Sequence, residues 1–250
     1  MTIVTGGWPG WWGMGEGDAR AHAYLADIAE HDFAQVAGSR RDPRRLLAYL
    51  RAVAALTAQP ASMATIGRRM REEMSAPVGS GAAPVLADLA ERLYLTEDQP
   101  AWSPQLRSRT AATQTPKRHL ADPSLAAELL GAGTDRLLLE PETLGFLFES
   151  QVVHDLRVYA QSLGARGVFH YRDTKGRDEV DAVVEGRNGE WVAVEAKLGF
   201  SAVDHAAANL IRVTDKMVRP PRARVVIVPT GVSHRRNDGV CVVPLTLLGP

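Results

Sequence analysis

Cysteine is nearly absent: Cys241 is the only one in 250 residues. That excludes an intramolecular disulfide framework and a cysteine-rich zinc site, and it fits a reducing compartment. No apolar run approaches the ~20 residues of a membrane-spanning helix, so no membrane partner is expected. The opening MTIVTGGWPGWWG has neither the basic start nor the apolar core of a secretory signal, which predicts a cytoplasmic protein. Nowhere does G-x-x-x-x-G-K-[ST] occur, the loop that cradles nucleotide phosphates, so no ATPase is expected. Net charge is missing too, 29 basic residues balancing 29 acidic ones. That zero conceals a gradient. Residues 1–39 hold one basic residue against five acidic, residues 40–118 thirteen against seven, and residues 119–250 fifteen against seventeen. The basic middle hints at a nucleic-acid partner, although solvated helix faces produce similar imbalances.

Three segments follow from the punctuation of the chain: 1–40, 41–120 and 121–250. The first opens on a turn, Gly6-Gly7-Trp8-Pro9-Gly10-Trp11-Trp12, whose tryptophans are costly to leave in water. A helix is expected from about Asp18 to Val36. In the second, Asp42-Pro43 is a helix cap followed by proline at the first position, leading Arg44 to Ala58 with an apolar stripe through Leu46, Leu50 and Val53. Ser62 caps a second helix, Met63 to Met74, and a third runs from Pro84 to Leu93. Short strands near Tyr94-Leu95 and Arg118-His119-Leu120 flank a polar loop, residues 98–116. Three short helices and a small hairpin are the pattern of a winged helix. Its third helix presents Asp88, Glu91 and only Arg92, a poor set for reading bases. The basic residues lie instead at Arg40, Arg41, Arg44 and Arg45 and at Arg68, Arg69 and Arg71, where they suit phosphate backbone or domain packing.

The third segment mixes helix and strand. Asp122-Pro123 starts a helix to Leu130, and Glu140-Pro141-Glu142 one to about Leu163, ended by Gly164. Strands are expected at Gly167–Arg172, Glu179–Glu185, Glu190–Leu198, Arg224–Val228 and Val240–Val243, with a helix near Ser201–Met217. The chemistry concentrates in DEVDAVVEGRNGEWVAVEAKLGF. Alternation along a strand turns Glu195 and Lys197 to one side. Joined by Asp181 from the preceding strand, they offer two carboxylates and an ammonium, a set that holds a divalent metal and activates a water.

Glu149 is out of place. At 100° per residue it falls within the face made by Phe148, Val152, Val153, Leu156, Tyr159, Ala160 and Leu163. A buried unpaired carboxylate costs several kcal/mol. A metal, a lysine or an arginine resolves the conflict, and a plain salt bridge is the simplest resolution.

A helix glutamate, a strand aspartate and a strand Glu-x-Lys together resemble the PD-(D/E)XK nuclease superfamily. The wording Gly145-Phe146-Leu147-Phe148-Glu149, Glu179-Val180-Asp181 and Val194-Glu195-Ala196-Lys197 is more similar still to the carboxy-terminal domain of uncharacterised AAA-type ATPases of bacteria and archaea. In those proteins a winged helix precedes the nuclease-like domain, and Gly6-Gly7-Trp8-Pro9 looks like the segment that follows their ATPase core. The resemblance implies an α+β or α/β fold: a helical and winged-helix amino-terminal part, then a domain around a central mixed sheet. It implies Mg²⁺ or Mn²⁺ as cofactor, held by Asp181 and Glu195 with the Ala196 carbonyl. Glu149 is implied to hold a metal-bound water or second ion, and Lys197 to orient the attacking water. This sequence departs from the family in lacking the phosphate loop.

Smaller expectations complete the reading. His170, Tyr171, Arg172 and Lys175 are candidate phosphate contacts, each weighed against a solvated hairpin. His205 and Asn209 share a helix face that is more simply polar surface. His154 is expected to be inert, and His234 to Asp238 to form an exposed turn. The resulting reading is a metal-dependent nuclease-like protein acting on DNA. The alternative is a non-catalytic module binding DNA or a protein partner.

Overall fold

Capping chemistry sets the helices of the first half. The computed structural model describes residues 2–11, 17–37, 42–74, 77–105 and 114–249. Trp12, Arg40, Arg41 and residues 106–113 of the polar loop lie outside the described residues. The helices α1 (Thr2–Thr5), α2 (Gly17–Asp27) and α3 (Phe33–Ala37) open the chain, α2 and α3 being joined by a wider π-type turn over Ile28–Asp32. Helix α4 (Pro43–Ala54) starts where the Asp42 side chain accepts from the Arg44 amide. Helix α5 (Met63–Glu73) starts where Ser62 accepts from the Thr65 amide. Helix α6 (Ala82–Arg92) packs with both, and strands β1 (Thr96–Gln99) and β2 (Lys117–Leu120) pair after it. Helices α7 (Pro123–Leu129), α8 (Thr134–Leu139) and α9 (Pro141–Ser162) follow.

The chain divides into two units: Met1–Asp98 with Lys117–Ser150, and Gln99–Pro116 with Gln151–Pro250. In the first, Phe33, Leu46, Tyr49, Leu50, Ile66, Met70 and Leu125 are almost wholly buried. The stripe read from Leu46, Leu50 and Val53 is therefore the core face of α4. Trp8, Trp11 and Tyr24 form an aromatic cluster, with Trp8 and Tyr24 ring centres 4.8 Å apart. Their backbone is pinned by Asp122, which caps α7 through the Ser124 amide at 2.7 Å and also accepts from the Gly7 amide at 2.9 Å. Gly6 has φ +75°, and a Cβ there would lie 2.5 Å from the Trp8 ring. Only glycine fits.

The second unit is built on a six-stranded mixed sheet in the order β3-β4-β5-β6-β8-β7. Strands β3 (Gly167–Arg172), β4 (Glu179–Glu185) and β5 (Trp191–Ala196) form an antiparallel meander. Strand β6 (Ala223–Val228) runs parallel to β5, and β8 (Cys241–Pro244) parallel to β6. A parallel return needs a crossover, and helix α10 (Val203–Thr214) supplies it, packing Val203, Ala206, Ala207, Leu210 and Val213 into the core against β5 and β6. Residues 99–102 join this unit: the Gln99 side-chain amide donates to the Phe169 and Asp181 carbonyls, and the Trp102 ring packs tilted against Trp191, centres 4.6 Å apart.

Two expectations change and one element is added. The exposed turn expected over His234 to Asp238 begins with a short edge strand, β7 (His234–Arg235), pairing with Val242 and Cys241, and turns only after it. Both side chains are exposed, so no buried alternation marks it. Helix α8 lies between two expected helices, where the sequence reading assigns no element. Leu163, placed on the buried face of α9, lies beyond the helix end and is exposed.

Asp42 and Asp122 cap equivalent Asp-Pro helix starts, but only Asp122 also holds a distant amide. Loss of a cap costs about 1 kcal/mol. Asp122→Ala is therefore expected to cost at least twice as much as Asp42→Ala in urea denaturation followed by circular dichroism; equal losses would refute the tether.

Candidate active site

The ladder between β4 and β5 holds from Glu185–Trp191 to Ala182–Val194. One step beyond it lie Asp181 and Glu195, which share a face because residues opposite one another on paired strands do. There the Ala196 amide donates to Asp181 Oδ2 at 3.0 Å. Lys197 follows β5 directly, its backbone amide held by the Ile227 carbonyl of β6 at 2.9 Å. Its Nζ lies 2.8 Å from Glu195 Oε2 and 3.3 Å from Asp181 Oδ2. The structure thus brings the Asp181, Glu195 and Lys197 side chains together, with the Ala196 amide beside them.

Burial and electrostatics make the cluster tense. Glu195 is almost fully buried, Asp181 largely so, and Lys197 remains 29% exposed. Burial, and next the Asp181 charge, raise the Glu195 pKa well above the usual carboxylate range, against the pull of Lys197. Burial works against the Lys197 ammonium, but Asp181 and Glu195 together outweigh it and raise its pKa. Two carboxylates beside one ammonium form a setting that favours an added proton or cation.

Asn209 on α10 is a member that sequence reasoning undervalued. Its side-chain NH₂ donates to Glu195 Oε1 and to the Glu179 carbonyl, both at 3.1 Å. The signal was present as the shared face of His205 and Asn209, but His205 is exposed. Arg212 donates to Asn209 Oδ1 at 2.6 Å and to Asp178, which Lys216 also contacts.

Among the described residues no group of three or more His, Cys, Asp or Glu side chains forms a metal cage. Asp181 and Glu195 are a pair. Mg²⁺ is commonly held by one or two carboxylates, with waters and substrate phosphates completing its shell, so the hard oxygen donors here fit that mode.

Glu149 belongs to the first unit. Lys117 Nζ lies 2.6 Å from its Oε1, with side chains only 2% and 12% exposed. The misplaced carboxylate thus meets a lysine from β2, which no local pattern announces. Arg44, Arg45, Arg68, Arg69 and Arg71 are exposed on α4 and α5. Arg172 is half-buried and its carbonyl accepts from Gln114, while Lys175 sits exposed in the following turn. His170 is 1% exposed beside the irregularity in β3, which removes it as a phosphate contact. His154 is half-buried on α9.

The fold and the cluster define a mixed α and β protein with a paired-carboxylate and lysine centre at the end of its fifth strand. The chain belongs to the family described as a domain of unknown function (DUF8612), whose model matches residues 1–136. Residues 144–248 match a second model, also described as a domain of unknown function (DUF4143). No curated protein and no solved structure matches the chain.

Two outcomes follow from these ion pairs. Lys117→Met removes the lysine 2.6 Å from the largely buried Glu149 carboxylate and is expected to cost about 3 kcal/mol, with Lys117→Met/Glu149→Leu recovering most of it in the same denaturation assay; an uncoupled pair of losses would contradict this. Hydrogen bonds from Lys216 and then Arg212 hold the Asp178 pKa below its usual value. Its contribution is present above the unfolded carboxylate pKa, about 4, and fades as pH falls through the lower folded value. Asp178→Asn is expected to melt below wild type at pH 7 and to converge with it at strongly acid pH. Parallel melting curves across pH would contradict it.

Proposed function

We propose that the second unit is a nuclease-type centre of the PD-(D/E)XK kind, hydrolysing DNA phosphodiesters with Mg²⁺ or Mn²⁺. The observation that carries this reading is the Lys197 ammonium shared between Asp181 and Glu195 at the end of β5. Asp181 and Glu195, with the Ala196 carbonyl, would hold the ion. When bound, such an ion lowers the pKa of a water and offsets charge on the transferring phosphoryl group. Lys197, partly exposed, orients the attacking water and stabilises the developing oxyanion. Asn209 keeps Glu195 aimed from α10.

The first unit supplies the rest of the proposal. Helices α4, α5 and α6 with β1 and β2 are read as a winged helix, whose exposed Arg44, Arg45, Arg68, Arg69 and Arg71 suit phosphate backbone rather than bases. Arg172 and Lys175 are read as further phosphate contacts near the site. Domains of the DUF4143 description are often found in AAA-ATPase-associated proteins, in keeping with the wording of the Glu-x-Lys segment.

A second reading has its own observation. Glu149, which the resemblance implies on the metal side, has Lys117 as a counter-charge. Carboxylates that already have lysine counter-charges, Glu149 in the first unit and Glu195 in the second, are compatible with a non-catalytic module that binds DNA or a protein partner.

Nicking of supercoiled DNA in Mn²⁺, with and without chelator, separates the two. The catalytic reading expects chelator-sensitive nicking that falls about 100-fold or more in Glu195→Ala and in Lys197→Ala, both still folded by circular dichroism. DNA binding that survives both substitutions, with no metal-dependent nicking by the wild type, establishes the module instead.

A further inference from the structure

The site's least obvious dependence lies on α10, one turn beyond Asn209. A side-chain amide has two unlike ends, and its usefulness depends on which end faces the carboxylate. At Asn209 the surroundings settle the matter. The Glu179 carbonyl and Glu195 Oε1, both acceptors, lie 3.1 Å from its NH₂. Arg212, which has only donors, lies 2.6 Å from its oxygen. Rotating the amide by half a turn would set oxygen against two acceptors and NH₂ against a guanidinium.

Arg212 in turn is not free to swing. Its other terminal nitrogen contacts Asp178, a carboxylate with a 10% exposed side chain that also takes the Lys216 ammonium. Asn209 and Arg212 lie three residues apart on one face of α10, and Lys216 follows in the turn just beyond the helix end. The Arg212 side chain is itself about half exposed, so its ordered position rests on these two contacts. The series Asp178, Arg212, Asn209, Glu195 runs from the mouth of β4 to the buried carboxylate.

We propose that Arg212, anchored on Asp178, is a positioning residue that locks the Asn209 amide so that it donates to Glu195. The lock leaves Glu195 Oε2 to face Lys197, and any ion that displaces it, in a fixed direction. A neutral donor suits this task, because it orients the carboxylate without adding a second full charge to compete for the site. In its link to metal binding the inference rests on the nuclease-type reading; the lock itself is a property of the folded chain.

The test uses the full chain and has two readouts. Stability by urea denaturation is compared for Arg212→Gln, Asn209→Ala and the double variant, without metal. The lock predicts non-additivity: with Asn209 gone, removing Arg212 costs clearly less than it does in the wild type. Additive losses would overturn it. Mn²⁺ alone is then titrated by calorimetry. Arg212→Gln is expected to weaken binding about ten-fold, Arg212→Lys to restore part of it, and the double variant to match Asn209→Ala. Coupling in stability with no Mn²⁺ binding by the wild type sustains the lock and defeats the metal reading. Unchanged Mn²⁺ affinity in a folded Arg212→Gln defeats the positioning role while leaving the metal reading intact.

Discussion

Two carboxylates, Glu195 buried and Asp181 partly so, share one ammonium, and the second unit is arranged around that contact. Asp181 and Glu195 come together because β4 and β5 are antiparallel and in register up to the pair before them. Lys197 is added because β5 continues in register with the parallel β6. Strand β5, antiparallel to β4 on one side and parallel to β6 on the other, is therefore the one that ends in the carboxylate and lysine cluster. Behind it, Val180, Val183, Ala193, Val226 and the apolar face of α10 form a packed core that holds the strand ends still. Such rigidity is what allows like charges to stay close without drifting apart.

Two of the protein's lysine–carboxylate pairings serve different ends. Lys117 is 2% exposed and closes Glu149 off inside the first unit. Lys197 is 29% exposed, so its partners remain within reach of solvent. A closed pair contributes to specifying one packed arrangement, and an accessible one offers its charges to an incoming ion or phosphate. Exposure, rather than residue type, distinguishes the two.

Strands with one buried face were legible in the sequence, since alternation of apolar and polar residues is a local signal. Glu179–Glu185 and Gly167–Arg172 appear with the expected bounds. Edge strand β7 was not legible, because two exposed residues carry no alternation. Helix α8 hid behind Leu137, Leu138 and Leu139, of which only the first is buried. At the site, Asp181, Glu195 and Lys197 could be assembled from spacing alone. Lys117 could not, because its link to Glu149 spans 32 residues and two elements. Asn209 lay between these cases: its position was visible, but its contact with Glu195 depends on how α10 packs.

The chain threads its two units in alternation, contributing residues to the first, then the second, then the first again, then the second. This has a consequence for vectorial synthesis. The early segment Gln99–Pro116 leaves the ribosome long before the strands that Gln99 and Trp102 will join. The first unit, likewise, waits for Lys117–Ser150 before it is whole. No single cut in the chain separates one finished unit from the other. A fragment beginning after Ser150 would lack the Gln99 amide that holds the carbonyls of Phe169 and Asp181. Dissection of this protein into parts calls for linking residues 99–116 to the later sheet in place of Lys117–Ser150, rather than for truncation.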